Sequence, residues 1–271
     1  MKLPHFLRSS LAGAGAALVL LLVLAAYRHW QPAAPMPVKA RPRLDVPYVA
    51  TLEEVIDRML ALAQVVPSDH VVDLGCGDGR ILIAAARTRG ASGYGVDLDP
   101  RRIREAETNA RRAGVADRLR FEVRDLFEAP IAGASVVAIY LLPEINLRLR
   151  PRLLAELRPG TRIVSHAFDM GDWRPDRAAA VEGARIFLWI VPAQVAGRWV
   201  LTDETGRTAA LTLDQRYQDV SGGVRGASLT GDLFRFTAEI GGRPRRFEGR
   251  VAGARIEPLD ANAGWRMERA G

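Results

Sequence analysis

The stretch Val71-Val-Asp-Leu-Gly-Cys-Gly-Asp-Gly-Arg80 joins a short hydrophobic run to a helix-compatible segment through three alternate glycines. Glycines let the backbone turn sharply and approach a ligand closely, and the first turn of a helix offers free N–H groups. A loop of this kind, between a strand and a helix, is typical of sites for NAD, FAD and S-adenosylmethionine. By itself it leaves these three ligands open.

Outward from this loop, hydrophobic runs alternate with helical patterns. The predicted strands cover residues 70–74, 92–97, 119–124, 135–141 and 161–166, and the predicted helices cover 80–88, 100–113 and 145–157. Asp99 and Pro100 suit a helix start, and Gly114 suits its end. Upstream, Thr51-Leu-Glu-Glu54 predicts a capping box at the start of one more helix. The alternation predicts an α/β fold with a mostly parallel sheet covered on both faces.

Two acids beyond the loop narrow the choice of ligand. Asp97 ends the second predicted strand, where a carboxylate can accept hydrogen bonds from both ribose hydroxyls, and Asp125 ends the third, where adenine would lie. The loop has the spacing G-x-G-x-G rather than the G-x-G-x-x-G that a dinucleotide site uses. Asp73 suits the cationic ammonium and sulfonium of S-adenosylmethionine better than it suits a pyrophosphate. The residues therefore favour S-adenosylmethionine.

The motifs VVDLGCGDGR, GYGVDLDP and FEVRDLFE resemble the three cofactor motifs of class I S-adenosylmethionine-dependent methyltransferases, over residues 48–195. More narrowly, PYVATLEEVIDRML, IYLLPEINLRLRP and IVSHAFDMGDW resemble the membrane-associated protein-lysine methyltransferase family that includes the ATP synthase c-subunit enzyme. The resemblance implies a Rossmann-like sheet of seven strands and N-methylation of a lysine in a membrane-embedded protein.

Carried onto this sequence, the resemblance also implies a set of cofactor-binding residues. Asp73, Gly75 and Gly77 would hold the amino-acid part of the cofactor, Asp97 the ribose and Asp125 the adenine. The neighbouring cofactor-binding candidates are Tyr48, Cys76, Leu98 and Leu126. Tyr48 precedes the first helix and could close over the cofactor. Cys76 is interpreted as a small loop residue rather than a nucleophile.

The acceptor is expected beside the loop after the fourth strand, where Tyr140-Leu-Leu-Pro-Glu144 stands in place of the Asn/Asp-Pro-Pro-Tyr of many amide and adenine methyltransferases. A lysine must lose a proton before its lone pair attacks, and aromatic faces with a carboxylate can hold it. Tyr140 and Glu144 are the first catalytic candidates, although a strand-end packing residue and a helix cap would look the same. His166 is a third candidate, since it titrates near neutral pH; its alternative is a structural role.

The N-terminal residues carry a separate signal. The uncharged run Leu11–Tyr27 is just long enough for a transmembrane helix, and a cleaved signal peptide is the alternative. More basic residues follow the run than precede it, which places the catalytic domain on the cytoplasmic side of a single-pass protein. The predicted anchor covers residues 1–30 and a proline-rich linker covers 31–47.

The C-terminal residues change in character. In residues 234–251, apolar and polar side chains alternate on either side of Gly241-Gly242, which predicts an antiparallel hairpin. The methyltransferase domain is therefore predicted over residues 48–204 and a small β-rich extension over 205–271. The extension lies outside the family pattern, which leaves the substrate open.

Composition limits the function classes further. The chain of 271 residues has a formal net charge of +7, but residues 51–196 contain equal numbers of arginines and acids, so no nucleic-acid partner is expected. A single cysteine excludes an internal disulfide and a multi-cysteine zinc site, and no metal is expected. Two further hypotheses remain: methylation of a small lipophilic molecule, and a noncatalytic membrane scaffold that binds the cofactor.

Overall fold

The computed structural model describes residues 50–270, which form two β-sheets and four α-helices. The helices are α1 (Glu53–Leu62), α2 (Arg80–Arg89), α3 (Pro100–Arg112) and α4 (Pro143–Glu156). The strands of the first sheet are β1 (His70–Leu74), β2 (Ser92–Asp97), β3 (Leu119–Val123), β4 (Val136–Ile139), β5 (Arg162–His166), β6 (Arg177–Val181) and β7 (Ala184–Ile190).

The first sheet has seven strands in the order β3-β2-β1-β4-β5-β7-β6. Strands β1 to β5 are parallel, whereas β7 runs antiparallel to β5 and β6 antiparallel to β7. The prediction of a seven-stranded α/β sheet is confirmed. Because β1 lies between β2 and β4, the strand order reverses there, and open sheets of this kind bind ligands at the carboxyl ends of the strands beside the reversal.

Neighbouring residues of the central strands point to opposite faces, so each strand contributes to two hydrophobic layers. Val71 and Val136 lie on the face covered by α1 and α2, and Val72 and Val137 lie on the face covered by α4. Helices on both faces explain why these strands are continuously apolar rather than alternating.

The ends of α3 follow the predicted pattern. Asp99 caps the helix by accepting a hydrogen bond from the Arg101 N–H, Pro100 occupies the first turn, and Gly114 lies in the left-handed region just after the helix. The predicted capping box at Thr51 is wrong. Leu52 is the N-cap of α1 and is 56% exposed, and no side chain caps this helix. The Thr51 hydroxyl lies instead 3.3 Å from Nδ1 of His166.

The second sheet is antiparallel and has eight strands in the order β10-β9-β8-β15-β14-β13-β12-β11. They are β8 (Gly197–Thr202), β9 (Thr208–Arg216), β10 (Asp219–Gly222), β11 (Arg225–Thr230), β12 (Leu233–Ile240), β13 (Arg243–Ala252), β14 (Arg255–Pro258) and β15 (Arg266–Arg269). The predicted hairpin is confirmed as β12 and β13, which are joined at Gly241-Gly242. One face is a core that includes Trp199, Phe234 and Phe247.

The predicted domain boundary after residue 204 needs correction. It places strand β8 in the methyltransferase domain, but β8 pairs with β9 and β15 of the second sheet. The change of sheet therefore lies between the end of β7 at Ile190 and the start of β8 at Gly197. Local alternation could not locate this boundary, because β15, the partner of β8, comes more than sixty residues later in the chain.

The predicted anchor over residues 1–30 and the linker over 31–47 lie outside the described residues. Among residues 50–270, no helix is long and apolar enough to cross a membrane.

Candidate active site at the carboxyl edge of the first sheet

The glycine loop turns directly after β1. The N–H groups of Gly75 and Cys76 both donate to the carbonyl of Val96 at 2.9 Å, which ties the loop to β2. Gly79 has φ +79 and is the N-cap of α2, and a Cβ there would lie 2.9 Å from the Cβ of Ala106. Only glycine therefore fits both the backbone conformation and the space at this position.

Asp97 lies at the end of β2 with its carboxylate held from two sides. Its Oδ2 accepts from the Gly77 N–H at 3.0 Å, and its Oδ1 accepts from the Asp99 N–H at 2.8 Å. Each carboxylate oxygen has a second lone pair, so the group can still accept from two hydroxyls. The structure thus places Asp97, the residue predicted to bind ribose, beside the glycine loop. The two backbone N–H groups fix the orientation of its carboxylate.

Asp73 is the most unusual group in the site. Its side chain is 1% exposed, and no described residue donates a hydrogen bond to its Oδ2. Burial, followed by the neighbouring carboxylates of Asp97 and Asp78, raises the pKa of Asp73 to about 8. A buried carboxylate without a partner is costly unless a ligand satisfies it. The group therefore fits a cationic ligand such as the ammonium of S-adenosylmethionine.

Asp125 follows β3 and lies close to Asp97 along the sheet edge. The Arg124 N–H donates to the Asp97 carbonyl at 3.2 Å, and Asp125 Oδ1 accepts from the Phe127 N–H at 2.9 Å. Leu98 and Leu126 are half-buried beside these acids, where they can cover the faces of a flat ring. The structure brings together the predicted ribose and adenine residues.

Cys76 lies inside the loop and is almost fully buried. Burial, followed by the negative charge of Asp73 and Asp97, raises the pKa of its thiol well above the ordinary value. A thiol that stays protonated is a poor nucleophile. The interpretation of Cys76 as a packing residue of the loop agrees with this placement.

The acceptor side is formed by the ends of β4 and β5. The rings of Tyr140 and His166 have centroids 3.9 Å apart, and the ring of Phe168 lies 6.4 Å from that of Tyr140. Burial lowers the pKa of His166, so its imidazole is neutral at pH 7. Together with Thr51, these residues form a wall that is aromatic and uncharged.

One predicted residue, Glu144, is not linked to this wall by a hydrogen bond or ion pair. Glu144 is exposed in the first turn of α4, and its carboxylate forms no hydrogen bond or ion pair within residues 50–270. Tyr48 lies outside the described residues, although Thr51, three positions later, contacts His166. The catalytic role of Glu144 stays a prediction.

Sequence reasoning missed three contributors to the acceptor side: Thr51 as the partner of His166, Phe168 as part of the wall, and Asn146. Asn146 lies on the buried face of α4, and its amide donates to the carbonyls of Phe168 and Asp169. Its Oδ1 is buried and has no partner among the described residues. An asparagine on the same helix face as the apolar Ile145 and Leu149 could have indicated a buried polar group. No comparable pattern in the sequence pointed to Phe168.

The family model described as the ANTKMT methyltransferase domain matches residues 73–177. A protein-lysine N-methyltransferase of Saccharolobus islandicus is 42% identical over 151 residues, which are 54% of this chain and 94% of that relative. The adenine nucleotide translocase lysine N-methyltransferase of Mus musculus is 34% identical over 49% of this chain and 58% of the relative. The ATP synthase c-subunit lysine N-methyltransferase of Homo sapiens is 30% identical over 53% and 61%, respectively.

This chain therefore spans about three fifths of the length of those two mammalian relatives. Among solved structures, a protein described as an RNA methyltransferase from Salinibacter ruber, in complex with S-adenosyl-L-homocysteine, is 52% identical with a TM-score of 0.53. The match covers 54% of this chain and 96% of that one.

The S-adenosyl-L-homocysteine bound in that structure agrees with the carboxylates of this site. Asp97 can accept hydrogen bonds from two hydroxyls, and the buried Asp73 can pair with a cation. The cofactor is S-adenosylmethionine. The Saccharolobus relative is covered almost from end to end at 42% identity. This chain thus belongs to the class I S-adenosylmethionine-dependent methyltransferases, in the family of protein-lysine N-methyltransferases.

Proposed function

We propose that this enzyme methylates the side-chain amine of a lysine in a membrane-embedded protein. The observation that carries the lysine part is the uncharged aromatic wall of Tyr140, His166 and Phe168. Of these residues, Tyr140 begins the loop after β4, where amide and adenine methyltransferases usually carry Asn/Asp-Pro-Pro-Tyr. The names of the Mus musculus and Homo sapiens relatives, which refer to the adenine nucleotide translocase and the ATP synthase c-subunit, support a membrane protein as the substrate.

The acceptor side has to convert a lysine ammonium into a neutral amine. A lysine ammonium has a pKa of about 10.4 in water, and aromatic surroundings lower it because they remove hydration from the charge. The faces of Tyr140 and Phe168 can still hold the cation as it enters. The neutral imidazole of His166, steadied by Thr51, is the group on this wall that can accept the proton and pass it to solvent.

The cofactor side fixes the direction of attack. Asp73 would hold the ammonium of the cofactor, Asp97 the two ribose hydroxyls and Asp125 the adenine. When bound, S-adenosylmethionine would supply an electrophilic methyl group. The neutral lysine nitrogen would form the N–C bond as the C–S bond breaks, the electron pair would leave with sulfur, and the methylated ammonium would then lose one proton to solvent. Holding both reactants at one sheet edge supplies the proximity that the transfer needs.

The membrane part of the proposal rests on the N-terminal residues. The uncharged run Leu11–Tyr27 would form a single-pass anchor, and the basic residues after it would keep the catalytic domain on the cytoplasmic side. The linker over residues 31–47 would then hold the active site within reach of lysines at the membrane surface.

One labelling experiment tests both parts. The purified full chain, with an Asp97→Ala control, is incubated with methyl-labelled S-adenosylmethionine and membranes from its own organism. The chain contains only Lys2 and Lys39, so self-labelling is easily mapped by mass spectrometry. We expect label on a lysine of a membrane protein in the wild type and none with the control.

The other outcomes are equally clear. Label on soluble proteins alone overturns the membrane part. Label in extracted lipids favours the small-molecule hypothesis. Label in RNA would favour RNA as the substrate, as in the description of the Salinibacter ruber protein. Measurable cofactor binding without any label favours the noncatalytic scaffold.

A further inference from the structure

The segment after β5 has a strained backbone at the acceptor wall. Ala167 has φ +66, and the Phe168 N–H donates to the His166 carbonyl at 2.8 Å, two residues back. A three-residue turn with a positive φ at its central residue is rare for alanine. Such a turn persists only where neighbouring residues stabilise it. The positions of His166 and Phe168 therefore depend on whatever holds residues 167–174.

The first sheet and its helices supply part of that support. Ser165 Oγ donates to the Phe168 carbonyl at 2.6 Å, and Asn146 donates to the Asp169 carbonyl at 3.2 Å. Arg150 of α4 donates to the Met170 carbonyl at 2.7 Å. The segment is thus fixed at its start by its own domain.

The second sheet supplies the rest, through the turn between β9 and β10. Gln218 is only 8% exposed there. Its Oε1 accepts from the indole N–H of Trp173 at 3.0 Å, and its Nε2 donates to the Arg174 carbonyl at 2.7 Å. Both the oxygen and the nitrogen of this buried amide are therefore hydrogen-bonded to residues 173–174.

Tyr217 strengthens the same contact. Its ring stacks on Trp173 with centroids 5.7 Å apart, and its hydroxyl donates to Asp172 Oδ1 at 3.1 Å. Asp172 also pairs with Arg150 of α4 and with Arg216 of β9, so one carboxylate joins both domains. These partners lower the pKa of Asp172 to about 2, so the carboxylate stays ionised at neutral pH.

We infer that the turn Arg216–Asp219 of the second sheet is a positioning element for the acceptor side, with Gln218 and Tyr217 as positioning residues. By fixing residues 172–174 it holds the strained turn at Ala167, and thereby the rings of His166 and Phe168. The family model ends at residue 177, so this element lies outside the matched residues. The inference rests on the proposed function, because it concerns the acceptor side of that reaction.

The test compares Gln218→Ala with a control at the far end of the same sheet. The control is Asp203→Ala. Asp203 fastens the turn between β8 and β9 by accepting from the N–H groups of Thr205 and Arg207, both at 3.0 Å. Strand β9 has nine residues and is about 30 Å long, so this control disturbs the sheet without touching residues 167–174.

Three quantities are measured for each protein: kcat/KM for the acceptor, Kd for S-adenosyl-L-homocysteine, and amide hydrogen exchange in peptides covering residues 166–173. For Gln218→Ala we expect roughly a tenfold loss of kcat/KM and faster exchange, with Kd changed less than about twofold. For Asp203→Ala we expect none of these changes. If Gln218→Ala does not fold, Tyr217→Asn serves instead, because asparagine tolerates the φ of +55 at that position.

Two results overturn the inference: an unchanged kcat/KM in Gln218→Ala, even with faster exchange, or an equal loss in Asp203→Ala. If the wild type transfers no methyl group to lysine, the proposed function fails. The exchange comparison then decides separately, since selective loosening of residues 166–173 in Gln218→Ala supports the positioning element and equal exchange rejects it.

Discussion

At the scale of single residues, Asp73 opposes stability and serves binding. Its pKa is about 8 in the fold, against an ordinary value of 3.8, so the folded protein holds a proton that the unfolded chain has lost between these values. The free energy of unfolding is therefore highest, with respect to this group, below pH 4, and it falls as the pH rises from 4 to 8. A cationic ligand reverses the cost, because it satisfies the ionised form.

The first prediction follows for Asp73→Asn. Asparagine does not ionise, so the variant should gain stability relative to the wild type as the pH rises from 5 to 8.5, while its affinity for S-adenosylmethionine falls by about tenfold or more. Thermal unfolding across this pH range and calorimetric titration at pH 8 measure the two effects. A stability difference that does not change with pH would show that Asp73 is ionised in the free protein.

His166 carries the second prediction. Because the imidazole takes the proton that the lysine loses, His166 must be neutral when the ammonium binds, and burial lowers its pKa below 6.5. The logarithm of kcat/KM should rise with a slope of about 1 below the pKa of His166 and level off above it. His166→Gln should lower kcat by about a hundredfold and leave a slope of about 1 throughout.

Thr51→Val is the control for that profile. Thr51 orients the ring but takes no proton, so the variant should lose activity while it keeps the shape of the profile. Equal profiles for wild type and His166→Gln would mean that solvent takes the proton directly and that His166 only packs against Tyr140.

At the scale of elements, the sequence predicted those features whose cause is local. The apolar runs defined the central strands, and Asp99 with Pro100 defined the start of α3. Strand β6 was missed because Arg177–Val181 is alanine-rich, partly exposed and held only at the edge of the sheet. Thr51 suited a helix cap locally, but its partner is His166, more than a hundred residues later, which a local pattern cannot reveal.

The glycine loop carries the third prediction, for which the chain offers a matched control. Gly79 and Gly114 both have positive φ, of +79 and +70, but a Cβ at Gly79 meets Ala106 and Phe121, whereas a Cβ at Gly114 has nothing within 4 Å. Gly114→Ala should therefore cost only the backbone strain, about 1 kcal/mol. Gly79→Ala should cost about 1–3 kcal/mol more and weaken cofactor binding, because α2 and the loop must shift.

Urea unfolding of both variants gives the difference directly, and titration with S-adenosyl-L-homocysteine gives the loss of binding. If the two substitutions destabilise the protein equally, the loop is free to move away from α3, and the close packing at Gly79 does not fix the cofactor site.

At the scale of the whole molecule, the two sheets share more than a linker. The Ala193 N–H donates to the Gly231 carbonyl at 2.8 Å, and a Cβ at Gly231 would lie 2.9 Å from the Cα of Gly160, so the β11–β12 turn packs closely on the first domain. At the other contact, Trp173 is fully buried between Trp189 and Tyr217. These contacts between the two sheets could not be predicted from the sequence. The patterns that define each sheet are local, and they carry no information about which turn of one sheet packs on the other.

The last prediction is that these contacts make residues 50–270 unfold as one unit. A ligand at about 100 times its Kd stabilises the folded state by about 2.7 kcal/mol. If the sheets unfold together, S-adenosyl-L-homocysteine must slow the globally limited amide exchange in β12 and β13 as much as in β1 and β4, although it binds only at the first sheet. Exchange under mildly destabilising urea, with Asp97→Ala as the control that binds poorly, measures this. Protection confined to the first sheet would mean that the second sheet unfolds independently, and that the contacts at Gly231 and Gln218 are too weak to couple them.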